Sequence, residues 1–238
     1  MPDNPRDSEL DRRLEAWAAS QADEALPSEV RRRIREELAP ALTSVKPLPS
    51  PGRLALTFCA IFAAGAIVLT AVMDKAGFHL MTRTQMVLMA AILMSGGIVF
   101  SLAMAERMIP GSRQGFPAWL ALTIAGLAVL GGIAVLFPWR TSRAFVSEGW
   151  PCAATEVMLT VPSAVFFALV ARRGALFGDA SLGAVLGGWA VFLALLPLQF
   201  QCMFQQAPHL LVWHEGTAVI LIGSSALLGA FLRGRWWS

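Results

Sequence analysis

Six runs of mostly apolar residues, each close to twenty long, constrain this chain more than any other feature. They cover Leu54–Met73, Gln85–Ala105, Phe116–Phe137, Cys152–Ala171, Leu182–Cys202 and Leu210–Leu232. About 20 such residues span the hydrocarbon of a bilayer as a helix, whereas a barrel strand needs only about half as many. Hydrocarbon offers the backbone no hydrogen-bond partners, so a run of this length must satisfy its own N–H and C=O groups, and a helix does so. A mean hydropathy of +0.59 and a charged fraction of 15% fit a membrane protein better than a soluble domain. The expected fold class is therefore all-α, polytopic, with six transmembrane helices in residues 53–238. No internal repeat or inverted symmetry points to a duplicated transporter half.

The first 52 residues read differently, as a cytoplasmic helical arm and a Pro-rich linker. Residues 1–50 hold ten of the sixteen acids and eight of the nineteen bases, and no apolar segment of the kind found in a cleaved signal peptide follows the start. An even number of spans places both ends on one side. With both ends inside, the inner loops and flanks carry Lys46, Arg53, Arg107, Arg113, Arg172, Arg173, Arg233 and Arg235, against Lys75, Arg83, Arg140 and Arg143 outside. Positive charge concentrates on the cytoplasmic side of such proteins, so the expectation is N-in, C-in, in a bacterial inner membrane. Trp119, Trp139, Trp150, Trp213, Trp236 and Trp237 fall near span ends, where aromatic belts form.

On this topology the stretch "QFQCMFQQAPHLLVWHEG", residues 199–216, forms the outer loop between spans five and six. Cys202 closes span five and Cys152 opens span four, both at the outer end. Glu156 follows Cys152 by four residues and shares its helix face. His209, Trp213, His214 and Glu215 occupy the first turns of span six. Ionisable groups inside a membrane are costly and usually face the bundle interior. Three readings of the cluster stand side by side: plain interhelical hydrogen bonding, a Cys152–Cys202 disulfide suited to an oxidising compartment, or a thiolate-centred metal or oxyanion sensor. The candidate metal set is Cys152, Cys202 and His214, since thiolates favour thiophilic ions. No CxxC and no HxxxH is present. Pro162 and Pro197, inside spans four and five, serve as packing kinks or as hinges beneath the two cysteines. Gly pairs at 96–97, 131–132 and 187–188 fit close helix packing.

In the arm, Val30, Ile34 and Leu38 repeat every four residues beside Arg31 and Arg35, a narrow apolar stripe with a basic edge. Two short helices cannot bury a core of their own, so this stripe needs a partner surface, whether anionic lipid or a groove on another protein. Ten acids against eight bases argue against direct nucleic-acid binding. No cofactor motif appears.

The segments "SEGWPCAATEVMLTVPSAVFFALVARRGALF" and "LQFQCMFQQAPHLLVWHEGTAVILIGSSALLGAFLRGRW" resemble the NrsF family of six-span inner-membrane anti-sigma regulators, most closely over residues 145–238. They share a cysteine at the outer end of span four, a mid-span proline, an Arg-Arg-Gly exit, a second cysteine, and a Trp-His pair opening the last span. The resemblance implies that Cys152 and Cys202 are periplasmic sensing thiols responding to thiol-reactive, heavy-metal or redox stress. It marks Trp213 and His214 as motif positions and implies an extracytoplasmic-function sigma factor as partner. It also implies a regulator and not an enzyme. Two alternatives remain: a small-solute or ion transporter, which requires a polar path through the mid-plane, and a membrane scaffold subunit that docks partners through the arm.

Overall fold

The computed structural model describes residues 50–74, 76–108, 117–171 and 179–236, and, in the arm, Glu29, Arg32, Arg33 and Glu36. Backbone contacts divide the chain into two units, Met1–Pro47 and Leu48–Ser238. In the first, Glu29 pairs with Arg32 at 2.8 Å and lies 3.9 Å from Arg33, while Arg32 lies 4.0 Å from Glu36. These are exposed pairs one helical turn apart, worth about 0.2–0.5 kcal/mol each. The stripe residues Val30, Ile34 and Leu38, with Arg31 and Arg35, lie outside the described residues.

The second unit contains six helices long and apolar enough to cross a bilayer, and the chain is a multi-pass, all-helical membrane protein. Helix α1 is Pro51–Val72, with Pro at its first turn, where the missing N–H costs nothing. A 3₁₀ turn, Ala76–Leu80, leads to α2, Arg83–Arg107. Thr82 and Gln85 close the start of α2 with a reciprocal capping box: Thr82 N–H donates to Gln85 Oε1 at 2.8 Å, and Gln85 N–H donates to Thr82 Oγ1 at 3.2 Å. Gln85 Nε2 also donates to the Leu136 carbonyl at 2.7 Å. The start of α2 is thereby tied to the end of α3, Ala118–Leu136. Helix α4 is Phe145–Ala171, with Pro151 and Pro162 inside it. Helix α5 is Ala180–Gln201, and α6 runs from Ala207–His209 through a π-helical segment, Leu210–Glu215, into Gly216–Trp236.

Helix α5 is the centre of the bundle. Eighteen of its 22 residues are buried, so it has no lipid-facing side, and all five other long helices touch it. Lipid tails are as apolar as leucine, so burying α5 gains little from the hydrophobic effect and depends on close packing. Small residues supply that closeness. A Cβ on Gly183 would meet the Ser225 carbonyl of α6, and one on Gly187 would meet the Ser225 side chain. A Cβ on Gly229 would in turn meet Gly183 and the Asp179 carbonyl. Two small-xxx-small pairs, Gly183/Gly187 and Ser225/Gly229, thus face each other across the α5–α6 seam. On another side of α5, Gly188 makes room for the Phe100 ring of α2, while Gly96 of α2 makes room for Phe192.

The middle of the bundle is aromatic. Trp189 of α5 is fully buried among Phe167, at 3.6 Å between ring centroids, and Phe62, at 5.5 Å. Its indole N–H donates to Ser101 Oγ at 2.9 Å, and Ser101 donates to the Gly97 carbonyl at 2.7 Å. A buried indole N–H without a partner is costly, and this relay satisfies it inside the membrane domain. At the end of the bundle away from Cys202, Asp179 caps α5 by accepting from the Ser181 N–H at 3.2 Å, and Ser181 Oγ also donates to its carboxylate. The largely buried Arg107, in the last turn of α2, donates to Ser181 Oγ at 2.5 Å and lies 3.8 Å from Asp179 Oδ2. Helix α5 is therefore fastened to α2 at that end.

Replacing Gly187 with Leu should separate α5 from α6 and destabilise the domain by about 1–3 kcal/mol, the usual cost of overpacking. Gly223→Leu is the comparison, since nothing lies within 4 Å of a Cβ at Gly223. Thermal unfolding of the two variants in detergent checks this: Gly187→Leu should lower the midpoint and Gly223→Leu should leave it near that of the parent.

Candidate functional site

Helix α4 begins at Phe145, seven residues before the expected start of span four, so Cys152 lies two turns inside the helix. The run "SEGWP" looks like a break because it combines charge, Gly and Pro. Pro151 cannot donate to the Ser147 carbonyl, yet the helix continues through it. Near a helix end this is tolerable, because a freed carbonyl can reach water. Gly149 in that run has a packing reason, since a Cβ there would collide with the indole of Trp213. Phe145 completes the seat, with its ring centroid 5.9 Å from that of Trp213. Trp213 thus wedges α6 against the first turns of α4.

Cys202 follows the last residue of α5, and a compact turn holds it. Its own N–H donates to the Leu198 carbonyl at 2.9 Å. Gln205 Nε2 donates to the Cys202 carbonyl at 2.7 Å and to the Gln199 carbonyl at 2.9 Å. Gln199 Nε2 returns a bond to Gln205 Oε1 at 3.0 Å. The Phe204 N–H donates to Cys202 Sγ at 3.4 Å. Glutamines 199 and 205 therefore form a clasp that fixes the backbone around the thiol. From another side, the 3₁₀ turn after α1 presses on the same segment, because a Cβ on Gly77 would meet the Cys202 carbonyl.

Helix α6 contributes both histidines. In an α-helix of 3.6 residues per turn, positions five apart point ~140° away from each other. Residues Leu210–Glu215 are π-helical, and the Gly216 N–H bonds to the Leu211 carbonyl, five residues back. This wider turn brings His209 and His214 onto one face, and their ring centroids are 5.7 Å apart. Both are buried. Phe204 and Phe145 pack around His209, at 5.2 and 6.3 Å between centroids.

The four side chains converge. Cys152 Sγ and Cys202 Sγ are 3.7 Å apart, both as free thiols, and Cys202 Sγ is 3.5 Å from His209 Nε2. One ligand atom from each of Cys152, Cys202, His209 and His214 lies within 4.8 Å of every other. The metal set expected from sequence was Cys152, Cys202 and His214; the geometry adds His209. Glu156 lies one turn beyond Cys152, fully buried, and neither carboxylate oxygen has a hydrogen-bond partner. Both ring nitrogens of His214 are likewise unpartnered. Glu215 is only partly buried, and neither it nor Glu156 is among the four converging groups. Cys59, in the first half of α1, belongs to another part of the bundle.

A cleft of about 380 Å³ reaches both thiols and is lined by Ser147, Glu148, Thr155, Gln201 and Phe204 among others. Among the described residues its lining carries an acid, Glu148, and no Lys or Arg. Chemically, two adjacent thiols can be oxidised to a disulfide, captured by a thiophilic reagent, or share a metal ion with the two imidazoles.

Comparison with known protein families gives a match, over residues 38–236, to NrsF, described as negative regulator of sigma F. No curated protein and no solved structure matches the chain.

Mild oxidation of the purified protein should join Cys152 to Cys202 and leave Cys59 free, as read by mass spectrometry of peptides after alkylation. Pairing that involves Cys59, or full alkylation of all three thiols after oxidation, would contradict the 3.7 Å approach of Cys152 and Cys202.

Proposed function

The chain belongs to the NrsF family, and from that premise we propose that it holds an extracytoplasmic-function sigma factor at the inner membrane and senses thiol-reactive, heavy-metal or redox stress through Cys152 and Cys202. Family membership makes it a negative regulator of a sigma factor. The observation that carries the sensing part is the 3.7 Å approach of two free thiols beside a cleft. In the proposed orientation this cleft faces the periplasm and the arm faces the cytoplasm, as the distribution of Lys and Arg favours.

The route from stimulus to partner runs through α5. Cys202 lies at one end of that helix, and the Asp179–Ser181–Arg107 latch lies at the other. A helix packed on every side by aromatic rings and close backbones shifts as a unit, because such packing has few intermediate positions. A chemical change at Cys202 is passed along α5 to the cytoplasmic ends of α2 and α5, and on that side of the membrane it leads to release of the sigma factor. Both ends must bias the same two arrangements for such coupling to exist. The aromatic rings around Trp189 and Phe167 speak against the transport alternative, since they fill the middle of the bundle and the indole N–H among them is satisfied by Ser101.

A membrane-impermeant mercurial added to intact cells should raise expression from a sigma-dependent reporter. Cys152→Ser and Cys202→Ser should each abolish that response, and the double variant should be no worse than either single, as expected for groups that act as one unit. Additive partial losses, or a normal response in both singles, would remove the sensing role.

The arm is proposed as the docking element for the sigma factor. Replacing Val30, Ile34 and Leu38 with Ser removes three aliphatic side chains worth about 1.5–3 kcal/mol each if buried. Co-purification of the sigma factor should then be lost while membrane insertion is kept. Unchanged recovery would move the contact to the inner loops.

A further inference from the structure

We propose that Cys152, Cys202, His209 and His214 form a closed, four-coordinate site for a thiophilic divalent cation of the zinc or cadmium class, bound through two thiolates and two neutral imidazoles. The inference rests on the reading of Cys152 and Cys202 as one sensing site and names the class of ion which that site takes.

Four observations converge on it. The first is the ligand set, with four soft or borderline donors from three different helical segments mutually within 4.8 Å. The second is spacing. Metal–sulfur bonds of about 2.3 Å and metal–nitrogen bonds of about 2.0–2.1 Å give a tetrahedron with edges of about 3.8 Å between sulfurs and about 3.6 Å between sulfur and nitrogen. The corresponding distances are 3.7 Å between the thiols and 3.5 Å from Cys202 Sγ to His209 Nε2. Two reduced thiols in contact would also sit near 3.7 Å, so this agreement is necessary without being decisive.

The third observation decides more. His214 is 1% exposed, and neither of its ring nitrogens has a hydrogen-bond partner of normal geometry; the polar group it faces is the Cys152 thiol. An unsatisfied buried polar group costs about 1–3 kcal/mol, so native proteins seldom leave one without a reason. A metal bond to one nitrogen supplies that reason. Ligating histidines commonly give the other ring N–H to a carboxylate. Glu156, fully buried with both oxygens unpartnered, is a carboxyl group of the kind such a second shell uses. The fourth is the π-helical turn. Without it, His209 and His214 would diverge around the helix; with it, they face the same thiols. Such turns are rare and, where they occur, are frequent at functional sites.

Charge selects the class of ion. Two thiolates and two neutral imidazoles total minus two, so a divalent cation neutralises the four ligands, whereas a monovalent ion leaves them with a net negative charge among buried residues. An oxyanion fits poorly, since the described residues lining the adjoining cleft include Glu148 and no Lys or Arg. Binding balances by release of two protons: each thiol loses its hydrogen to solvent as its sulfur takes up the metal. No electron is transferred.

The test uses the full chain purified in detergent, reduced, stripped of metal and titrated with Co(II), then with Zn(II). One equivalent of Co(II) should give thiolate-to-cobalt charge transfer and the ligand-field bands of a tetrahedral ion, and Zn(II) should remove both. His209→Ala and His214→Ala should each weaken binding by at least about 100-fold. Cys59→Ser and His79→Ala should change nothing. If a ligand variant fails to fold, protection in the parent chain replaces it: Zn(II) should shield Cys152 and Cys202 from maleimide while Cys59 reacts at its usual rate. Absence of tetrahedral Co(II) spectra, or spectra that persist in the His209/His214 double variant, overturns the site. The sensing reading fails separately. Metal binding that needs all four residues, with a normal reporter response in the cysteine variants, supports the site and removes its sensing role. Loss of the reporter response with no metal binding does the reverse.

Discussion

Encirclement of α5 is the constraint on which the rest of this membrane domain depends. A helix with no lipid-facing side must be approached closely from every direction, and in hydrocarbon that approach is stabilised by contact and not by expulsion of water. Glycines 183, 187 and 188 let the α6 backbone and the Phe100 ring reach α5. Once α5 is held this way, its two ends are held too. Cys202 is placed at one end and the Asp179 cap at the other, and the distance from Cys202 to α4 follows from the packing. The position of a thiol is thus set by glycines roughly four to five turns away along the same helix.

The other half of the site depends on a departure from regular helix geometry. His209 and His214 have the wrong spacing for one face of an α-helix. The π-helical residues between them correct this without disturbing the helix beyond Gly216. Wide turns pack their own backbone less well, so a turn that survives is supported from outside. Here Trp213 sits in the middle of the turn and is received by Gly149 and Phe145 of α4. The Trp-His pair therefore divides its work: the tryptophan seats the turn, and the histidine uses the alignment that results.

Much of this was legible in the sequence because one physical requirement, a self-satisfied backbone across about 30 Å of hydrocarbon, leaves a long uniform signal. All six helices show in the runs that begin with Leu54–Met73. Less was legible at their ends. "SEGWP" carries the marks of a loop, yet it is helical, because Gly149 serves Trp213 and Pro151 sits where its freed carbonyl can be solvated. The glycine pairs signalled close packing without naming a partner, since which helix faces Gly187 is decided by rotation about the axis. His209 was visible as a polar neighbour of the cysteines but not as an equal of His214. Its alignment depends on the π-helical turn, and no residue type announces one. Gln199 and Gln205 lie within the polar stretch 199–216, but their mutual clasp depends on the backbone turn between them and leaves no mark in the sequence. The arm's stripe, Val30, Ile34 and Leu38, rests on sequence periodicity alone.

The two chemistries open to the thiols act on the helices in different ways. A tetrahedral ion would bridge the sulfurs at an edge of about 3.8 Å, close to the 3.7 Å they already have, so it would leave Cys152 of α4 and Cys202 beside α5 where they are. A disulfide requires the sulfurs to close to about 2.05 Å. Rotamer changes at Cys152 and Cys202 absorb part of that distance, and the remainder falls on the helices that carry them. The clasp formed by Gln199 and Gln205 resists local movement of Cys202, which directs the remainder to α5 as a whole or to the turns of α4 around Pro151. Both chemistries also consume the same two thiolates, so neither can occur while the other is in place. Oxidation and metal binding would thus differ in geometry at this pair: a disulfide would draw α4 and the end of α5 together, and a bound ion would leave the two sulfurs at the spacing they have.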